Sequence, residues 1–232
     1  MTQDDDRFGV MFRDRREAGR QLAKQLRRYR HQAQTIVLGL PRGGVVPAAE
    51  IAAVLELPLD VIISRKLGAP GNPELAIGAI AEGGDAYLNE EGVALTRASH
   101  EYLAEETRRQ RIEIAHRQER FRDGRALSLP DKCTVILVDD GVATGSTVIA
   151  AIRALRHQQV AHLVLAVPVA PPDTVAMLRD MVDELVVLST PVLFWAVGAF
   201  YQNFQQVSDD EVCELLMQAK DTASARQAAA QG

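Results

Sequence analysis

Short, wholly apolar runs alternate along this chain with longer stretches in which apolar residues return every third or fourth position. The runs predict strands buried on both faces, and the periodic stretches predict amphipathic helices. Arg13 to Arg30 predicts a helix: Ala18, Leu22 and Leu26 recur at helical spacing, with Arg and Lys on the other faces. Thr35 to Gly39 predicts a buried strand, Val45 to Leu55 a helix, and Asp60 to Ser64 a second strand. Leu67 to Glu74 holds Gly68, Pro70, Gly71 and Pro73 and predicts an irregular, mobile loop. A third strand is expected over Ile77 to Ala81, extended as a hairpin by Ala86 to Asn89. Thr96 to Arg122 predicts one long charged helix, braced by Glu105–Arg109 and Glu113–Arg117 pairs at i,i+4.

The alternation then becomes regular. Strands are expected over Thr134 to Val138, His162 to Val169 and Glu184 to Leu188, with helices over Ser146 to His157 and Thr174 to Met181. Such an order predicts the α/β class: a central, mainly parallel sheet with helices on both faces. Ligands of such sheets gather beyond the C-terminal ends of the strands. From Pro191 to Phe204 the rhythm breaks and aromatic residues concentrate, while Lys220 to Gly232, rich in Ala, Gln and Ser, predicts a frayed, disordered tail.

Composition narrows the class. The 232 residues are 47% hydrophobic, ample for a full core, and are expected to form a single domain, 1–232. A net charge of -5 gives no general case for a nucleic-acid or anionic-membrane partner. Cys133 and Cys213 stand far apart and form no metal or redox motif, so a reducing cytoplasm is the default. The N-terminus lacks the basic and apolar regions of a signal peptide, and no apolar run approaches a membrane span. The expectation is a soluble, cytoplasmic protein.

The densest chemistry lies at Val135-Ile136-Leu137-Val138-Asp139-Asp140-Gly141-Val142-Ala143-Thr144-Gly145-Ser146-Thr147. A buried strand ends in two carboxylates, followed by a small-residue loop and a helix start. Backbone N–H groups of such a loop can hold a phosphate dianion, and Thr144, Ser146 and Thr147 add hydroxyl donors. Asp139 and Asp140 disfavour phosphate; they suit vicinal sugar hydroxyls, a metal ion or a cationic transition state. The loop is not a Walker A motif, because Ser146 stands where Lys is needed.

This pattern resembles the phosphoribosyl pyrophosphate (PRPP) loop of the type I phosphoribosyltransferases, and the resemblance covers about two-thirds of the chain, roughly 36–188. It implies transfer of 5-phosphoribose from PRPP to a nitrogen acceptor, a nucleobase among the candidates, with release of pyrophosphate. Asp139 and Asp140 would be catalytic and hold the ribose hydroxyls; Ala143, Thr144, Gly145, Ser146 and Thr147 would bind the 5-phosphate. Pro41-Arg42-Gly43-Gly44 looks like the family's pyrophosphate loop, with Arg42 and Gly43 as ligands, and Arg65 and Lys66 are basic residues in a position where the family often carries them. Mg²⁺ would be the cofactor, held mainly by PRPP and water, with no protein metal site assigned. Leu67 to Glu74 resembles the family's flexible loop. The aromatic segment, about 190–207, resembles a hood over the acceptor, with Trp195, Phe200 and Tyr201 as stacking candidates and a satellite core as the competing reading. A homodimer is commonly seen in the resembling family.

Other features have plainer readings. Ala143 stands where the 6-oxopurine branch usually carries an Asp, which excludes a proton shuttle there; Ala143-Thr144-Gly145 looks more like the adenine branch, but the rest of the chain does not, and no substrate is transferred. Glu74 and Glu82 are acid/base candidates that read more readily as surface carboxylates. The Arg108 to Arg125 stretch interleaves Arg with Glu and reads as a solvated face rather than an RNA site. A non-catalytic PRPP- or nucleotide-binding regulator would carry the same loop. A nucleotide phosphohydrolase is a further enzyme alternative.

Overall fold

A computed structural model describes residues 12–231. The described residues divide into two compact units: 12–61, 130–144 and 160–231 form the first, 62–129 and 145–159 the second.

The first unit is built on five parallel strands in the order β2-β1-β6-β7-β8: β1 Thr35–Gly39, β2 Leu59–Val61, β6 Thr134–Val138, β7 His162–Val169 and β8 Glu184–Ser189. Every residue of β1 is buried, as are nearly all of β6 and β7, which accounts for their uninterrupted apolar runs. The α/β fold expected from the alternation is therefore present. Helix α1 (Arg15–Gln25) is shorter than expected: the chain turns at Leu26 into a single 3-10 turn, Arg27–Tyr29. Asp14 caps α1, accepting from the Glu17 N–H at 2.8 Å. Helix α2 (Val45–Leu55) packs on α1 and β1; α6 (Pro172–Arg179) lies on β8. The segment from Lys220, expected to fray, is instead part of α7, Asp209–Gln231, which packs on α2 and β2. Its Ala and Gln content suits a helix as well as a disordered tail.

The chain leaves β1 toward β2 on one side and leaves β6 toward β7 and β8 on the other. β1 and β6 are neighbours in register, Gly39 opposite Val138. They form the topological switch point, where α/β sheets open a crevice for ligands.

The second unit holds a three-stranded antiparallel sheet of β3 Ser64–Ala69, β4 Asn72–Ala81 and β5 Tyr87–Leu88. Helices α3 (Glu90–Thr96), α4 (His100–Arg122) and α5 (Ser146–His157) pack on it. Three expectations are corrected here. The apolar run Asp60 to Ser64 is not one strand: β2 ends at Val61, and β3 starts at Ser64 in a different sheet. Leu67 to Glu74 is an antiparallel hairpin rather than an irregular loop. Pro70-Gly71 forms its turn, with Gly71 at φ 74°, and register shifts beside Gly68 absorb the second glycine. The long helix expected over Thr96 to Arg122 is present but starts at His100: Thr96 ends the separate helix α3, Arg97 turns left-handed at φ 51°, and Ser99 caps the new start.

The buried residues of α4 are Leu103, Glu106, Gln110, Ile114, Phe121 and Arg122, so three of its inward positions are polar. Glu106 accepts from the Gly68 N–H and from Gln110, and the Tyr102 hydroxyl donates to the Gly68 carbonyl at 2.9 Å. These bonds fasten the hairpin to the helix. Glu82, read from sequence as a surface carboxylate, is buried. It pairs with Arg122 and accepts from the Ile63 N–H and the Gln118 amide, both at 2.8 Å. Glu105 pairs with Arg108 and Glu106 with Arg109, both at i,i+3, so that Arg109 is engaged by Glu106.

Candidate active site

In the first unit, β6 delivers Asp139 and Asp140 to the C-terminal rim of the sheet, and β1 delivers Pro41-Arg42-Gly43-Gly44 beside them. The Leu40 N–H donates to the Val138 carbonyl at 2.9 Å, carrying the pairing one residue past the strands. The Arg42 and Gly43 carbonyls accept from the Val45 and Val46 N–H groups, which winds the loop into α2. Gly43 lies flush against the Asp140 carboxylate, where a Cβ would meet Cγ at 2.7 Å. At Gly44 a Cβ would fall 2.8 Å from the Asp139 Cα. The two glycines are what permit the loop and the acidic pair to touch. The sequence pointed to both loops, and the structure brings them together.

Asp139 and Asp140 have different surroundings. The Asp139 carboxylate accepts from the Asp140 N–H at 2.9 Å. Burial pushes its carboxyl well above the usual range, and the neighbouring Asp140 charge adds to this. Asp140 is also raised by burial, but the Arg15 guanidinium opposes the shift, its Nε donating to Oδ2 at 2.6 Å. The Tyr201 hydroxyl donates to the Asp140 carbonyl at 2.5 Å. Burial and the Asp140 charge raise the Tyr201 phenol, which stays protonated as a donor. Arg42 is part-exposed, with Nη1 3.8 Å from the Asp209 carboxylate.

Beyond Asp140, Ala143 and Thr144 are exposed, and the Ala143 carbonyl accepts from the Thr174 hydroxyl at 2.6 Å. Gly145, at φ 80°, adopts the left-handed turn that starts α5, a conformation for which glycine is suited. Ser146 is buried and Thr147 half-buried. No side chain caps α5, and its first turn carries no acidic residue. Its first N–H groups thus keep both donors and positive dipole end for an anion.

Arg65 and Lys66 do not follow a strand; they lie inside β3, where Arg65 Nε donates to Gln110 at 3.1 Å and Lys66 is exposed. The aromatic candidates separate. Phe200 and Tyr201 are 5% and 6% exposed and pack with Phe12, Ala18 and Val169, with Phe194 and Phe204 against them. They are core residues, and their faces are not free to stack on a ligand. Trp195 is 87% exposed. Arg15 is the site residue that sequence reasoning missed: α1 is rich in Arg, and no motif distinguishes this one. A cavity of about 340 Å³ between α2 and α7 contains none of the site residues; it is lined by residues such as Ala52, Pro58 and Ala219. Among the described residues no cluster of three or more His, Cys, Asp or Glu could hold a metal, and no helix is long and apolar enough to cross a membrane.

A family model, the phosphoribosyl transferase domain, matches residues 13–202. The chain belongs to this family. Among curated proteins it is 49% identical over 210 residues to "Putative phosphoribosyl transferase Rv0571c" of Mycobacterium tuberculosis H37Rv, and equally to its counterpart in strain CDC 1551. The matched region is 90% of this chain and 47% of each relative, so the chain spans about half the length of the curated relatives it matches. The crystal structure of TT1426 from Thermus thermophilus is 44% identical, with a TM-score of 0.74, covering 90% of this chain and 99% of that one.

Proposed function

We propose that the chain transfers 5-phosphoribose from PRPP to a nitrogen acceptor, a nucleobase in the first instance, and releases pyrophosphate. One observation carries the reading: at the switch point of the sheet, a Gly-Gly loop with a part-exposed Arg42 is packed directly against two half-buried carboxylates. Breaking the C1–O bond builds positive charge on the ribose ring and negative charge on pyrophosphate. Asp139 and Asp140 accept from the ribose hydroxyls and favour the ring cation. Arg42 and the Gly43 N–H receive the leaving group, and Ala143 to Thr147 hold the 5-phosphate at the uncapped start of α5, so that C1 is fixed in place.

Arg65 and Lys66 are assigned to the pyrophosphate only by the family resemblance. Trp195 is the remaining aromatic candidate for stacking on the acceptor. Magnesium would be carried by PRPP oxygens and water, as that ion prefers, with no protein ligand assigned to it; Asp140 Oδ2 is already engaged by Arg15. When bound it neutralises pyrophosphate charge. The same reading places the chain in cytoplasmic nucleotide metabolism, as a homodimer of the kind the resemblance implies.

Pyrophosphate release from PRPP and Mg²⁺, measured against a panel of nucleobases and small amines, tests the proposal. Acceptor-dependent release is expected, falling by about 10²-fold or more in Asp140→Asn, the scale of losing one electrostatic contact to a transition state. Tight PRPP binding with no release for any acceptor would favour the regulatory reading, and equal release by Asp140→Asn would reject the ribose role.

A further inference from the structure

Resting on the transferase reading above, we propose that Arg15 is a positioning residue for the sugar: it holds the Asp140 carboxylate in place to receive the ribose hydroxyls. Arg15 opens α1, more than a hundred residues from the PRPP loop, yet its Nε donates to Asp140 Oδ2 at 2.6 Å. The guanidinium is itself fixed twice. Nη1 donates to the Gln205 carbonyl at 2.7 Å, and the guanidinium carbon sits 3.7 Å from the centroid of the Phe204 ring. The two side chains of the pair are only 11% and 14% exposed, which is the regime in which a charge-assisted bond is strong and its loss costly.

Asp140 is gripped at a second point, since the Tyr201 hydroxyl holds its backbone carbonyl. Arg15 in α1 and Tyr201, which precedes α7, thus fix the same aspartate by side chain and by backbone. A carboxylate has about four lone-pair sites, so Arg15 on Oδ2 leaves acceptors for vicinal hydroxyls. A purely structural staple between α1 and the 204–205 segment needs no carboxylate; here the guanidinium ends on the catalytic one.

The arrangement has a pH consequence. The titratable and charged groups facing Asp140 are Arg15, Asp139 and Tyr201. Burial favours the protonated carboxyl, and Arg15 works against this. Without Arg15, Asp140 takes up a proton at higher pH and can no longer accept from both hydroxyls. The pH at which acid begins to weaken PRPP binding therefore moves upward. Arg15 also lines a polar cavity of about 220 Å³, with Asp14, Asn203, Gln205, Gln206 and Glu211, which gives a small solute a route to its position.

The test is calorimetry of PRPP with Mg²⁺ across pH on the full chain and on Arg15→Gln, Arg15→Lys and Arg15→Ala. Arg15→Gln is expected to weaken binding by about tenfold to a hundredfold, as for truncation of a buried charge pair, with its acid limb displaced to higher pH. Arg15→Lys keeps the charge but not the planar fork, so it retains the wild-type acid limb better than Arg15→Gln. Millimolar guanidinium restores part of the affinity of Arg15→Ala and leaves wild type unchanged. Wild-type affinity and an unmoved limb in Arg15→Gln would overturn the proposal. If Arg15→Gln does not fold, Arg15→Lys decides: weakened affinity with wild-type thermal stability supports the proposal, and unchanged affinity at every pH overturns it. Absence of PRPP binding by wild type is a different failure, that of the transferase reading itself.

Discussion

Asp139 and Asp140 are adjacent in sequence and unequal in environment. Asp139 has burial and a like charge against its ionised form, whereas Asp140 has Arg15. The linkage for Asp139 follows from the sign of its shift. A carboxyl whose folded pKa lies above its unfolded value makes the folded state bind more protons, so stability falls as pH rises through that interval and stays reduced above it. Asp139→Asn keeps the acceptor for the Asp140 N–H and removes the charge. It is expected to raise the melting temperature at pH 7 and to change it little near about pH 3, below the ordinary carboxylate range. A variant less stable than wild type at pH 7 would contradict this assignment of strain to the charge. The acidic pair and the glycines at 43 and 145 were legible in sequence, because close backbone approach and a left-handed turn demand particular residue types. Arg15 was not. Its role is set by where α1 lands on the sheet, and sequence spacing does not encode that.

At the scale of elements, the site depends on two loops meeting. Gly43→Ala places a methyl group against Asp140 Cγ and Arg15 Nε, so the loop must move away from the acidic pair. PRPP affinity is expected to fall by at least about tenfold with the far-ultraviolet circular dichroism unchanged, since a sub-ångström to ångström misplacement suffices for such losses; unchanged affinity would show that the contact is incidental. In the second unit the comparable element contact is the Glu82–Arg122 pair, which joins the base of the β3–β4 hairpin to the end of α4. Arg122→Met strands a buried carboxylate and is expected to cost about 3–5 kcal/mol in urea unfolding, much of it recovered when Glu82→Gln is added. Two further Arg122 nitrogens are buried without a hydrogen-bond partner, which is why the double replacement is the informative one. A cost under about 1 kcal/mol for the single variant would mean the pair is solvated. The parallel strands were readable from their apolar runs. The hairpin was misread because glycine and proline mark a tight turn and a bulge as readily as a loop, and only pairing with a partner strand separates the cases. Glu82 was misjudged for a similar reason, since its partner Arg122 lies far along the chain, on another element.

At the scale of the whole molecule, the strand order β2-β1-β6-β7-β8 places the crevice between β1 and β6, and the two loops that bear the site chemistry issue from those two strands. Membership of the phosphoribosyl transferase domain family and the likeness to TT1426 agree with that architecture. The curated relatives are about twice as long as the matched region, so what their remaining length contributes belongs to those proteins. The decisive claim for this chain is that the loop from Asp139 to Thr147 holds the sugar and 5-phosphate of PRPP. The most direct measurement is calorimetric titration of PRPP with Mg²⁺ into wild type, Thr147→Ala and Asp140→Asn. Saturable one-site binding is expected for wild type, weakened by about tenfold in Thr147→Ala, the scale of one hydrogen bond to a charged group, and weakened further in Asp140→Asn. No heat of binding by folded wild-type protein, or equal affinity in all three, would contradict that claim.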